Sequence, residues 1–324
     1  MAHLLTPNGI TLYYEDNGPA HGPVLILIMG LGAQLTVWPA ALVESLCAQG
    51  FRVIRLDNRD TGLSSKLDEH GKPSLVAMLV RKQLRLPLKP PYKLQDMAQD
   101  VIDLMDALHI RKAHIVGASM GGMIAQILAL QFKKRVISLT SIMSSAGITR
   151  PALRDFRILW HLSKKRPPAD NLDAAVRYTV KLNKLIGSPD YPLDEHVLHD
   201  TIRHNLSRAY HPQGIVRQLA AITASEGRED LLHKIKVPSL VIHGSADPLI
   251  PLHAGIHTAR YLHKAKLEVV PGMGHNLPPQ VVPQLVKLIS KHVKKAEEKH
   301  VRKVARKYLA KLARQLKTEN IGAF

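Results

Sequence analysis

In the stretch HIVGASMGGMIA, residues 114–125, a serine stands between two glycines where an apolar run turns into a helical pattern. The residues before Ser119 predict a buried strand, and MIAQILALQF after it predicts a buried helix. A strand, a sharp turn and a helix can present a serine hydroxyl above a sheet, and only small residues fit on either side of it. Ser119 is therefore either an activated nucleophile or the N-cap of the helix.

Strand and helix patterns alternate on both sides of this stretch. VLILIMG (24–30), FRVIRLD (51–57) and RVISLTSIM (135–143) predict strands that are buried on both faces. WPAALVESLCAQG (38–50) and LQDMAQDVIDLMDALHI (94–110) predict helices. This order predicts an α/β fold with a mainly parallel sheet and helices on both of its faces.

The alternation stops near Gly147 and resumes near Leu231. Residues 150–228 are rich in helix formers, histidine and arginine and contain no clear buried strand, whereas VPSLVIHGSAD (237–247) and AKLEVVPGMGH (265–275) again predict strands. We therefore expect a core made of residues 1–147 and 231–295, an inserted helical cap at 148–230, and a basic C-terminal helix at 296–324.

Two further residues stand where a serine nucleophile needs them. A serine hydroxyl requires a base that takes its proton and an acid that orients the base. Asp247 follows one predicted strand and His275 follows the next, each after a small-residue turn, in the chain order acid then histidine. The alternative for Asp247 is a turn or helix-cap residue. His243 is expected to lie within its strand.

Backbone amides would have to stabilise the oxyanion of an acyl-transfer reaction. The first predicted donor is Met120, directly after the serine, and the second is Leu31 in the segment MGLG (29–32). The flanking glycines would let the backbone approach a ligand closely. Taken alone, MGLG is also compatible with an ordinary strand-to-helix turn.

The segments MGLG, DNRDTGLSS, GASMGG, GSADPLIP and GMGH together resemble the α/β-hydrolase fold, and the RDTG form is similar to the branch of the anthracycline methylesterases. The resemblance covers roughly residues 8–295, with the cap alike only in kind. It implies an eight-stranded type of sheet, Ser119 as nucleophile, His275 as general base and Asp247 as the orienting acid. It also implies oxyanion donors at Leu31 and Met120 and a reaction without a metal or organic cofactor.

The sequence departs from this pattern in one connection. SLVAMLVRKQLRLPLKPPYK (74–93) is basic and apolar and longer than the branch predicts. It forms either a second lip of the pocket or a cover for the sheet edge. In the neighbouring segment 57–65, Arg59 and Asp60 are expected to play a structural role.

Composition limits the environment of the protein. The 324 residues include a single cysteine, Cys47, and the N-terminus lacks a basic region followed by an apolar one, so we expect neither disulfides nor a cleaved signal. No apolar run reaches the roughly 18 residues that a membrane span needs. A cytoplasmic protein is expected.

The net charge of +19 is concentrated near the C-terminus. Residues 291–317 contain eleven Lys or Arg and two Glu, and from Val301 onward apolar residues recur at helical spacing opposite basic ones. This amphipathic helix could dock on the body or on a second copy of the chain, adsorb weakly to an anionic membrane surface, or bind nucleic acid. Specific nucleic-acid binding is not expected, because Tyr308 is the only aromatic residue of the segment 296–324 apart from the last residue, Phe324.

These observations predict a serine carboxylic-ester hydrolase that works through an acyl-enzyme on a small or medium apolar ester. One alternative is a perhydrolase or acyltransferase with the same triad, and another is a non-catalytic ligand-binding or membrane-associated protein. The apolar site elements, which include Leu277, favour an apolar ester, whereas the arginine-rich cap indicates an acidic group. The cap aromatics serve either the pocket or the cap's own packing: Trp160, Tyr178, Tyr191 and Tyr210.

Overall fold

The computed structural model describes residues 2–147 and 156–321, without the side chains of residues 159, 163 and 311–321. Eight strands form one sheet in the order β1-β2-β4-β3-β5-β6-β7-β8. The strands are β1 (Ala2–Leu5), β2 (Thr11–Asn17), β3 (Val24–Ile28), β4 (Arg52–Leu56), β5 (Ala113–Ala118), β6 (Val136–Ile142), β7 (Ser239–Gly244) and β8 (Lys266–Val270). The expected α/β fold with an eight-stranded, mainly parallel sheet is confirmed.

Six strands run parallel, in the order β4, β3, β5, β6, β7 and β8 across the sheet. Strand β2 pairs antiparallel with both β1 and β4. The chain crosses from β3 to β4 on one side and later returns to β5 on the other. Ligands of such sheets bind at this reversal, outside the carboxyl ends of the strands. Ser119 and the segment MGLG both lie there, directly after β5 and β3.

Helices cover both faces of the sheet, as the apolar strands require. On one face α1 and α11 pack together over a core that includes Leu46 and Ile289. On the other face α3 packs against α4 over the larger core. The described helices outside the segment between β6 and β7 are α1 (Ala40–Ala48), α2 (Leu75–Gln83), α3 (Leu94–Ala107), α4 (Met120–Gln131), α10 (Leu252–Tyr261) and α11 (Val282–Ile321).

Among the described residues, five helices lie between β6 and β7, and we call this inserted helical segment the cap. They are α5 (Phe156–Ser163), α6 (Leu172–Ile186), α7 (Glu195–Arg208), α8 (Pro212–Ala224) and α9 (Glu229–Leu232). Helix α6 packs against α5 and α7, and α8 packs against α2. The first part of the predicted cap, residues 148–155, lies outside the described residues.

The connection at 74–93 contains a helix, α2, which the sequence pattern did not indicate. Ser74 caps it by accepting a hydrogen bond from the amide of Ala77. Because α2 packs against α8, the connection lies beside the cap.

The basic C-terminal segment continues α11 without a break. From Val301 to Ala310 every side chain is exposed. The interpretation in which the apolar stripe docks on the body of the same chain is therefore wrong for these residues. Leu312 and Leu316, further along the predicted stripe, lie where side chains are not described, and residues 322–324 lie outside the described chain. Within its described part, the protein has no helix that could cross a membrane.

Candidate active site

Ser119 sits on a sharp turn between β5 and α4. Its backbone angles, φ 54° and ψ −121°, are unusual for a residue with a side chain. The turn is closed by two glycines. A Cβ on Gly117 would overlap the carbonyl oxygen of Gly121, and a Cβ on Gly121 would overlap that of Ile28. Packing of the backbone therefore explains why glycine flanks the serine on both sides.

The Ser119 hydroxyl does not cap its helix, although Ser119 occupies the N-cap position of α4. Its Oγ lies 3.0 Å from Nε2 of His275 instead. Nδ1 of His275 lies 2.8 Å from Oδ2 of Asp247. The three predicted triad residues thus form one chain of hydrogen bonds. Ser119 and His275 are 156 positions apart in the sequence, and His275 and Asp247 are 28 positions apart.

Asp247 is almost completely buried and has two roles in the structure. Its Oδ1 accepts hydrogen bonds from the amides of Leu249 and Ile250, at 2.9 and 2.8 Å, which forms the turn after β7. Its Oδ2 remains for His275. The two interpretations of Asp247, turn residue and orienting acid, are therefore compatible, because each uses a different oxygen.

His243 lies within β7, as expected, and is completely buried. Burial lowers the pKa of its imidazole. Its Nε2 donates a hydrogen bond of 2.7 Å to the carbonyl of Ile250. Because Nε2 of His243 donates to this carbonyl and lies 3.7 Å from Oδ2 of Asp247, that oxygen is hydrogen-bonded to His275 and not to His243.

The two backbone amides predicted as oxyanion donors, those of Leu31 and Met120, belong to segments next to Ser119. The segment Gly30–Gly32 approaches Ser119 so closely that a Cβ on Gly30 would lie 2.9 Å from the Cβ of Ser119. Among the described residues, no acceptor is hydrogen-bonded to the amide of Leu31 or to that of Met120. The Met120 amide also belongs to the first turn of α4, where the helix dipole favours negative charge.

Helix α8 of the cap holds the Gly30–Gly32 segment. Gln218 is completely buried, and its Oε1 accepts a hydrogen bond of 2.8 Å from the amide of Gly32. Its Nε2 donates to the carbonyl of Arg59 and to the hydroxyl of Thr61, at 2.8 and 2.7 Å. One cap side chain thus joins the loop after β3 to the loop after β4.

A second part of the cap holds the loop that carries the histidine. The amide of His275 donates a hydrogen bond of 2.7 Å to the carbonyl of Ile186, at the end of α6. The Ser188 hydroxyl accepts from the amide of Gly274 at 2.8 Å and donates to the side chain of Asn276. The cap therefore positions residues on both sides of Ser119.

Buried ion pairs join the cap to the segment 57–65. Arg217 contacts Asp60 through two hydrogen bonds, of 2.9 and 2.7 Å, and neither side chain is exposed. Arg208 lies 2.8 Å from Asp57. The aspartates of the core neutralise the charge of both arginines. The interpretation in which the arginine-rich cap indicates an acidic substrate is therefore wrong for Arg208 and Arg217.

Arg59 is paired within the core, in the structural position that the sequence analysis expected. It contacts Asp100 on α3 through two hydrogen bonds, of 2.7 and 2.6 Å. Although burial of the guanidinium opposes it, this pairing raises the pKa of Arg59. For Asp60, burial raises the pKa of the carboxyl, but the hydrogen bonds from Arg217 and Leu67 outweigh this effect and lower it.

Two of the four cap aromatics serve the packing of the cap. The hydroxyls of Tyr178 and Tyr210 donate to the carbonyls of His161 and Pro167, both in the cap. Tyr191 packs, like Leu277, against the core cluster on the α1 and α11 face of the sheet. Trp160 is largely exposed.

A second chain of serine, histidine and acid lies at the opposite end of the sheet. Ser138 Oγ is 2.8 Å from Nδ1 of His114, whose Nε2 is 3.0 Å from Glu297. Ser138 is buried in the middle of β6 and has no sharp turn around it. What distinguishes Ser119 is therefore the strained turn and the two free amides, which the hydrogen-bonded chain alone does not provide.

No group of three or more His, Cys, Asp or Glu side chains that could hold a metal ion occurs among the described residues. The groups around Ser119 can instead support nucleophilic attack, proton transfer and stabilisation of an oxyanion. A twisted parallel sheet with this arrangement at the carboxyl ends of its strands is characteristic of one class of proteins, the α/β hydrolases.

The chain belongs to the α/β-hydrolase family: the model of the alpha/beta hydrolase fold matches residues 23–280. It is similar to the rhodomycin D methylesterase of Streptomyces peucetius, with 28% identity in an alignment that covers 90% of this chain and 98% of the relative. The 3-oxoadipate enol-lactonase 1 of Acinetobacter baylyi is 29% identical, over 81% of this chain and 85% of that enzyme.

Among solved structures, the enol-lactonase of Burkholderia xenovorans superposes with a TM-score of 0.70. It is 25% identical and covers 90% of this chain and 100% of its own. The resemblance to the methylesterase branch is confirmed, and the family together with these relatives identifies the protein as a hydrolase.

Proposed function

We propose that the protein is a serine carboxylic-ester hydrolase that works through an acyl-enzyme. The observation that carries this proposal is the chain from Ser119 Oγ through His275 to Asp247, with distances of 3.0 and 2.8 Å, at a turn whose serine does not cap its helix. The similarity to a methylesterase and to enol-lactonases supports an ester as the substrate.

In the first half of the reaction, Ser119 Oγ attacks the carbonyl carbon of the ester while His275 Nε2 accepts the proton of the hydroxyl. Asp247 keeps Nδ1 of His275 protonated and stabilises the imidazolium that forms. The oxyanion of the tetrahedral intermediate accepts hydrogen bonds from the amides of Leu31 and Met120. His275 then gives its proton to the leaving alcohol, and an acyl-Ser119 remains.

In the second half, water takes the place of the alcohol. His275 removes a proton from the water, the hydroxide adds to the acyl carbonyl, and the same two amides stabilise the second oxyanion. Collapse of this intermediate releases the carboxylic acid and returns the proton to Ser119. All residues that act belong to this chain, so the proposal requires no added cofactor.

We propose a small or medium apolar ester as the substrate. The residues that carry the two amides, Leu31 and Met120, have apolar side chains, and so does Leu277, two positions after the histidine. The arginines of the cap that reach this region, Arg208 and Arg217, are paired with aspartates. A neutral acyl group therefore suits the site better than an acidic one.

The test is hydrolysis of a series of short p-nitrophenyl esters by the wild type, Ser119→Ala and Ser138→Ala. Ser138→Ala is the matched control, because it removes a serine from the other serine-histidine-acid chain. We expect Ser119→Ala to lose at least about a thousandfold in kcat, and Ser138→Ala to keep the rate of the wild type. A folded Ser119→Ala protein with wild-type kcat would refute the proposal.

The same assay separates the remaining alternatives. Faster release of p-nitrophenol when peroxide or a second alcohol is added, with the matching product, would indicate a perhydrolase or an acyltransferase. A folded wild type that hydrolyses none of the esters would favour a non-catalytic binding protein.

A further inference from the structure

Helix α2 has an unusual distribution of apolar side chains. In a soluble protein, a surface helix buries its apolar face and turns polar residues to water. In α2, Met78 is buried towards the protein, but the opposite face is also apolar. Val76, Leu79 and Val80, at the helical spacing i, i+3, i+4, are 73%, 58% and 53% exposed.

The apolar surface continues beyond the end of the helix. Leu84 is 62% exposed and Leu86 is 45% exposed, so five large aliphatic residues within eleven positions face outward. A single exposed leucine is ordinary, whereas a contiguous group of this size marks a surface that another phase or molecule covers. We call the residues 76–86 the α2 patch.

The chain segment that contains the α2 patch carries charge of one sign. Residues 71–95 contain six Lys or Arg and no Asp or Glu. Arg81, Arg85 and Lys89 are exposed beside the aliphatic residues. Aliphatic side chains surrounded by exposed basic ones are characteristic of helices that lie in the interface of an anionic membrane.

The α2 patch is also held in place before any binding. Met78 is buried, and Nζ of Lys82 donates a hydrogen bond of 2.7 Å to the carbonyl of Thr223, at the end of α8. Because α2 is already ordered against the cap, binding through its outer face does not require the segment to fold.

From these observations we propose that the α2 patch binds the surface of an anionic lipid bilayer, with the aliphatic residues among the acyl chains and the basic residues at the phosphates. A second copy of the chain is a less suitable occupant, because a two-fold contact would bring the basic residues of the two patches together. A lipid surface offers negative charge and needs no groove of matching shape. The proposal concerns binding and is independent of the proposed ester hydrolysis.

The experiment is co-sedimentation of the full chain with vesicles of phosphatidylcholine, with and without phosphatidylglycerol. We compare the wild type with Leu79→Ser/Val80→Ser, with Arg85→Gln/Lys89→Gln, and with Val304→Ser/Tyr308→Ser on the exposed end of α11. All six side chains are exposed. Thermal melting and hydrolysis of a soluble p-nitrophenyl ester are measured on each variant, and we expect both to stay at the wild-type level.

We expect the wild type to bind the vesicles that contain phosphatidylglycerol, and Leu79→Ser/Val80→Ser to reduce its partition coefficient about tenfold or more. Arg85→Gln/Lys89→Gln should remove most of the preference for the anionic lipid, and Val304→Ser/Tyr308→Ser should bind like the wild type. Loss of binding only in the α11 variant would overturn the proposal in favour of the basic C-terminal helix. Absence of wild-type binding would also overturn it, as would a change of oligomeric state in Leu79→Ser/Val80→Ser without lipid, which would assign the patch to self-association.

Discussion

The side chain of Gln218, in the cap, accepts a hydrogen bond of 2.8 Å from the backbone amide of Gly32, in the core. Gly32 follows Leu31, whose amide is a proposed oxyanion donor. Gln218 is therefore a positioning residue: it touches no reacting atom, but it fixes the peptide group that directly follows the one carrying the Leu31 amide. Its other hydrogen bonds, to Arg59 and Thr61, hold the amide group in a single orientation.

We predict that Gln218→Met lowers kcat by about tenfold to a hundredfold and leaves KM nearly unchanged. A displaced donor reduces the stabilisation of the transition state more than it reduces the binding of the substrate. The variant should also lose affinity for a boronic acid that mimics the tetrahedral intermediate. The matched control is Gln126→Met, a second completely buried glutamine, whose amide contacts Ser145 and Arg228. Equal losses of kcat in the two variants would mean that Gln218 acts only through stability.

The glycine before the nucleophile is predicted to be required by backbone packing. Gly117→Ala should lower the free energy of unfolding by about 3 kcal/mol or more, because its Cβ would overlap the carbonyl of Gly121. Gly50→Ala is the control: Gly50 has φ 88° but no atom near its Cβ, so we expect a loss of only about 1 kcal/mol. Urea denaturation measures both, and similar values for the two variants would contradict this account of the turn.

The ion pair between the cap and the core should be sensitive to removal of one partner. Arg217→Met leaves the buried carboxylate of Asp60 without its two strongest hydrogen bonds, and we predict a loss of about 3–5 kcal/mol. The double variant Arg217→Met/Asp60→Asn should recover a large part of this loss, because neither position then carries a buried charge. Denaturant unfolding of the wild type and the two variants tests the prediction, which fails if the double variant is as unstable as Arg217→Met.

Stability should fall in mild acid because of His292 on α11. Burial, reinforced by the nearby His114, lowers the pKa of His292 to about 4. The unfolded histidine has a pKa of about 6.5, so below that pH the unfolded chain takes up a proton that the folded chain does not. This contribution to stability is complete above about pH 6.5 and is lost as the pH falls towards 4. We expect His292→Gln to show a smaller decrease in Tm between about pH 7 and about pH 5 than the wild type, whereas equal decreases would contradict the assignment.

Much of the fold follows from local sequence patterns. Continuous apolar runs such as VLILI belong to strands with both faces covered, and their order with helical patterns predicts a parallel sheet. The segment GASMGG could be located in the same way, because the tight turn restricts which residues flank Ser119. The positions of Asp247 and His275 after successive strands then follow from chain order.

The cap contacts could not be predicted from these patterns. Helix α8 contains the adjacent polar residues Arg217 and Gln218, which are completely buried because their partners come from loops more than 140 positions away. A buried polar pair inside a helical pattern is the only local sign of this connection. The helix α2 was missed for a related reason: its outer face is apolar, so the usual alternation of buried apolar and exposed polar residues is absent.

The role of Ser119 as nucleophile is tested by reacting the protein with a fluorophosphonate and identifying the modified residue by peptide mass spectrometry. We expect one phosphonate per chain, located on Ser119, with labelling lost in Ser119→Ala and retained in Ser138→Ala. A folded wild type that stays unmodified, or an adduct on another residue that persists in Ser119→Ala, would contradict the claim that Ser119 is the activated nucleophile.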